Sequence, residues 1–158
     1  MSSRLFVFRE QTYLFGILSG EFDKYLSLNH VIICQDEQHP NLWKFEATDT
    51  GESGYFIHPM ELFGFGKIKF SQKSILFIRN QPDSPAFGLL MNDFYMHIND
   101  KRAEPKRIEP DVVKNFPPQL PKPVFQFVRR FKRKNIFVIN PDALLKEYNI
   151  QFPETSQL

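Results

Sequence analysis

Apolar residues in this chain fall mostly into short runs bounded by turn-forming residues, a pattern that favours strands over long helices. Residues 4–9 and 12–18 flank Glu10-Gln11 and predict a hairpin. Ser19-Gly20 breaks that pattern. Phe22, Tyr25 and Leu26, at i, i+3 and i+4, predict a short helix ending near Asn29. The run Val31-Ile32-Ile33-Cys34 predicts a buried strand at 30–34, and a turn follows at 38–41. Residues 42–47 predict the next strand, 48–54 a hairpin loop with glycines for positive φ, and 55–58 the returning strand, which Pro59 ends or places at an edge. Residues 62–70 read as a strand bent at Gly64 and Gly66, and 74–79 as a regular strand.

The second half is less regular. In residues 84–98, Phe87, Leu90, Met91, Phe94 and Ile98 form a helical stripe behind Ser84-Pro85, although two strands around Asn92-Asp93 fit the same letters. The helix matches five apolar positions and is the preferred reading. Residues 99–123 hold six of the twelve prolines and predict an extended arm, with a short turn at 110–113. Val124, Phe127, Val128 and Phe131, at i, i+3, i+4 and i+7, predict an amphipathic helix ending at Asn135. A strand at 136–139 follows. Asn140 is then positioned to cap a last helix, with Pro141 at its first position and Asp142 near its positive end.

These elements predict an α+β fold. A bent, mainly antiparallel sheet or partial barrel would be covered by a few helices and crossed by a proline-rich arm. The expected organisation is a β-rich core at 1–98, the arm at 99–123, and a basic helix with a strand–helix unit at 124–158 packed on the core.

Composition adds two points. The chain of 158 residues contains 18 phenylalanines, enough for aromatic rings to dominate the core. The net charge of +2 hides a division: residues 1–100 carry eight cations against twelve acids, and 101–158 carry twelve against six. Cys34 is the single cysteine, which excludes an internal disulfide and a multi-thiolate metal site. Arg9 and Glu10 interrupt any signal-peptide core, and no apolar run approaches the ~20 residues that span a bilayer, so an intracellular, cytoplasmic protein is expected.

Candidate chemistry centres on the basic end. Between Val112 and Pro141 there are seven cations and no acid, and Arg129, Arg130, Lys132, Arg133 and Lys134 occupy five of six consecutive positions. Such a cluster points to an anionic partner. A nucleic-acid backbone, bound without strong sequence specificity, is the leading reading, and an acidic protein surface met by an adaptor or assembly subunit is the alternative. The stretch 64–70, Gly-Phe-Gly-Lys-Ile-Lys-Phe, partly resembles the RNP1 string of RNA-recognition domains. That resemblance makes Phe65, Lys67 and Lys69 secondary binding candidates, while a glycine-bent core strand explains the same letters more simply. Asp49-Thr50-Gly51 resembles the aspartic-protease triplet but lacks its apolar leader and sits in a turn. Histidines 30, 39, 58 and 97 are scattered, and no phosphate loop, dinucleotide fingerprint or nucleophile elbow occurs. The sequence therefore predicts no cofactor and no metal, and leans away from an enzyme.

Overall fold

The computed structural model describes residues 4–82, 84–99, 105–106 and 116–153. Part of the expected proline-rich arm (100–104 and 107–115), the turn expected at 110–113, and the last residues, 154–158, lie outside them. Strands dominate. They are β1 (Arg4–Glu10), β2 (Tyr13–Leu18), β3 (Lys24–Ser27), β4 (Val31–Gln35), β5 (Trp43–Ala47), β6 (Ser53–Ile57), β7 (Ile75–Gln81), β8 (Ser84–Met91), β9 (Phe94–Asn99), β10 (Pro105–Lys106), β11 (Phe125–Phe131) and β12 (Lys134–Ile139). Among the described residues, two short helices, α1 (Pro59–Leu62) and α2 (Pro141–Glu147), complete the regular structure beside a few single 3-10 turns.

There are two sheets rather than the one expected. The first runs β10-β11-β12-β2-β1-β9 and the second β3-β7-β8-β6-β5-β4. Pairing is antiparallel except for β12 with β2 and β6 with β8. The C-terminal strands thus continue the sheet that the N-terminal hairpin begins.

Period-two alternation sorts the side chains into three cores. Phe6 and Phe8 of β1, Phe15 and Ile17 of β2, and Phe137 and Ile139 of β12 meet Tyr55, Ile57, Phe77, Phe87 and Leu89 of the second sheet. This shared layer holds the aromatic excess: Phe77 packs edge-on against Phe6 and Phe8, with centroids 5.4 and 5.8 Å apart. The alternate residues Leu5, Val7, Leu14, Ile136 and Val138 form a second core with Ile98 of β9. That core draws only on the first sheet, so the sheet must curl to cover its own far face. Phe45, Phe56, Leu76, Ile78, Ala86 and Leu90 do the same for the second sheet.

Four local expectations are corrected. Residues 84–98 form β8 and β9 around Asn92-Asp93; β8 is buried on both faces, and that continuous apolar run imitated a helical stripe. The helix expected near Phe22 is the short edge strand β3 paired with β7. Residues 63–74 form no strand: after α1 the chain turns through Gly64 and Gly66, at φ 87° and 115°. The basic helix expected at 124–134 is the β11–β12 hairpin. Val124 and Val128 pack into the shared core while Phe127 and Phe131 pack against the first sheet's own core, so apolar residues from two opposite faces imitate the 3-1-3 spacing of a helix.

Candidate interaction surface

The basic cluster sits on the β11–β12 hairpin, where Arg129 faces Ile136, Arg130 faces Asn135 and Phe131 faces Lys134. Lys132 and Arg133 make the turn itself, both left-handed at φ 49° and 67°. Two-residue turns of this hand favour Asn-Gly, because side chains with a Cβ are strained there. Here the chain keeps two long cations instead.

The five cations are not equivalent. Arg129 is 5 % exposed, with its guanidinium 4.8 Å from the centre of the Phe127 ring. Arg130, Lys132, Arg133 and Lys134 are exposed. Among the described residues no carboxylate forms an ion pair with any of these four; the ion pairs lie elsewhere, as at Arg79–Asp142 and Lys24–Glu52. Lys132 lies over Phe131, 5.4 Å from its ring centre.

The secondary candidates separate from one another. Phe65 is half-buried, its ring 5.7 Å from Tyr13 and 5.9 Å from Phe15, so it wedges into the shared core and offers no stacking platform. Lys67 and Lys69 project from the loop after α1. Lys69 faces Glu10, whose carboxyl burial raises above its ordinary value against the lysine's opposing pull.

Tyr13 links the two regions. One side of it meets Phe65; the other lines a cleft of about 530 Å³ with Arg9, Gln11, Thr12, Pro117, Lys134 and Phe137. The cleft joins three distant segments: the β1–β2 turn, the end of the proline-rich stretch and the start of β12. Apart from Lys134, none of its lining residues belongs to a motif legible in the sequence.

Histidines and carboxylates of the kind a hydrolase uses remain dispersed. His58 and Glu61 border a cavity of about 310 Å³, yet the imidazole contacts Glu61 only through the backbone N–H, which donates to Nδ1 at 3.2 Å. The Glu61 carboxylate accepts from the Ile68 backbone N–H at 3.2 Å. Asp49 lies 3.5 Å from His30 at the β5–β6 turn, and His97 lies against Phe6. Among the described residues no group of three or more His, Cys, Asp or Glu could hold a metal. No helix of the described residues is long and apolar enough to cross a membrane.

Cys34 is exposed, not buried as expected, because β4 is the outer strand of its sheet. Ile32, on the same strand, is 61 % exposed.

No family model matches the chain, and no curated protein matches it by sequence. Among solved structures, the scaffolding protein TtCheW from Thermoanaerobacter tengcongensis is similar over 99 % of this chain and 94 % of that one, with a TM-score of 0.64 and 16 % identity. The two chains share a fold. That finding overturns nucleic-acid binding as the leading expectation: the fold is one that carries a protein scaffold, and the cations stand on a strand hairpin within it rather than on a free basic helix.

Proposed function

We propose that this chain is a non-enzymatic adaptor that joins protein partners, with the β11–β12 hairpin meeting an acidic protein surface. The observation that carries the reading is the fold shared nearly end to end with a scaffolding protein. Fold likeness alone assigns no partner. The hairpin adds chemistry: Arg130, Lys132, Arg133 and Lys134 stand exposed on a hydrogen-bonded frame, without acids of the described chain to neutralise them. Charges at an interface rim steer association and reject wrong partners more than they add affinity, which suits an assembly protein.

The test is photo-crosslinking in the cells that make the protein, with the crosslinking residue at Arg130 and a control at Asn80. The expected result is a stoichiometric protein adduct from the hairpin, absent from the control and lost in the R130E/K132E/R133E variant. Crosslinks to RNA or DNA, or no protein adduct, overturn the reading.

A further inference from the structure

We infer that the cleft between the β1–β2 turn and the start of β12 takes an acidic linear segment of a partner protein, with one large apolar side chain of that segment seated in the cleft. The inference rests on the adaptor reading and names the chemistry of the partner. The walls come from Tyr13, Pro117 and Phe137, and Lys134 stands at the mouth. Lys132 and Arg133 continue the positive charge from Lys134 around the turn. A bare anion could engage Arg9 and Lys134 but would leave the apolar surface of Tyr13, Pro117 and Phe137 in water, losing its burial. A peptide avoids that loss by putting its anchor against the walls and its carboxylates against the lysines. A second copy of this chain fits poorly, since it would bring the same cations together.

Charge is arranged asymmetrically around the mouth. On the β1 side, Arg9 already lies 3.8 Å from Asp93 and 4.9 Å over the Tyr95 ring, and Asp93 also approaches Lys73 at 3.9 Å. On the β12 side, Lys134 and its neighbours have no such counter-charge among the described residues. The acidic residues of the ligand therefore face the hairpin and its anchor points towards Tyr13. Lys132 and Arg133 provide independent support: an Asn-Gly turn would relax the backbone, and the retained strain sits where the charge is needed.

The probe is a phage-displayed library of random dodecapeptides selected on the immobilised full chain. Enriched peptides are then made synthetically and measured by fluorescence anisotropy. The expected consensus pairs two or more Asp or Glu with one aromatic or large aliphatic residue. Replacing that anchor by Ala, or introducing K134E, should weaken binding about tenfold, and added salt should weaken it further. T12W should block the cleft with an unchanged melting temperature. K132N/R133G should raise the melting temperature while weakening binding about threefold, a divergence that a purely structural turn would not give. No enrichment, enrichment without acids, or affinity indifferent to T12W overturns the inference. If the hairpin crosslink to a protein survives in T12W, the cleft inference fails while the adaptor reading stands; if the wild type gives no protein crosslink, the adaptor reading fails first.

Discussion

His58 Nε2 lies 2.9 Å from the side-chain amide of Asn92, tying the start of α1 to the β8–β9 turn. Its Nδ1 accepts from the Glu61 backbone N–H, so His58 caps α1. A neutral ring that accepts at Nδ1 carries its proton on Nε2, which assigns the Asn92 oxygen to face the ring and its NH2 to face Ser74 Oγ, 3.2 Å away across the same amide. His58 is 4 % exposed, and burial lowers its pKa from 6.5 to about 4. The folded chain refuses a proton that the unfolded chain accepts. Stability is therefore full above pH 6.5 and is lost as pH falls towards about 4, by about 3 kcal/mol in all. H58N keeps an acceptor at the cap and removes the titration. Denaturant unfolding across this range should show a shallower acid loss in H58N, and equal slopes would reject the assignment.

The local part of this structure was readable from sequence wherever one residue type has one physical use. Asn140 caps α2, accepting from the Asp142 and Ala143 backbone N–H groups, and Pro141 begins it, as the letters imply. Glycine-rich residues 48–54 do turn β5 into β6. Reading failed where tertiary context reassigns a pattern. Apolar residues on both faces of β11 disguised a strand as a helix, and β4 looked buried because its apolar run carries no mark of its edge position. The cleft was invisible for a further reason: Tyr13, Pro117 and Phe137 meet only because β12 pairs with β2, a long-range parallel contact that periodicity does not encode.

A second long-range parallel contact makes Gly54 indispensable. A Cβ there would lie 2.2 Å from the Ala86 carbonyl oxygen and 2.8 Å from its carbon, both backbone atoms of the neighbouring strand. G54A should therefore force β6 away from β8 and lower stability by about 2–4 kcal/mol. Gly51 provides the contrast. At φ 72° it has nothing within 4 Å of a built Cβ, so G51A should cost about 1 kcal/mol from backbone strain alone. Equilibrium urea unfolding of both variants tests the ranking, and a G51A loss matching that of G54A would contradict it.

Arg79 joins α2 to the second sheet. Its Nη1 donates to Asp142 Oδ1 at 2.8 Å, its Nε to the Glu21 carbonyl at 3.0 Å, and its guanidinium lies 5.5 Å from the Phe22 ring centre. Asp142 is exposed, so solvent screens the ion pair and a double-mutant cycle between the two residues should give less than about 1 kcal/mol. R79A itself should lose about 2 kcal/mol, because it also removes the carbonyl contact and the ring packing. A coupling energy equal to the whole R79A loss would mean that Asp142 alone gives Arg79 its value.

The edge of the second sheet carries a liability that one substitution can expose. In β4, Val31-Ile32-Ile33-Cys34-Gln35, one side pairs with β5 and no strand of the described residues pairs with the other. Proteins usually blunt such edges with a lysine, a proline or a bulge, and this strand contains none of them. Ile32 makes few contacts to lose, so I32K should change stability by no more than about 0.5 kcal/mol. It should nevertheless raise the protein concentration at which light scattering first appears, because a charge on an edge strand opposes the addition of a second copy's β4 to the free edge. The measurement needs a reductant, since exposed Cys34 could link two copies by another route. Equal scattering onsets for wild type and I32K would show that association begins elsewhere on the surface, leaving this edge harmless despite its composition.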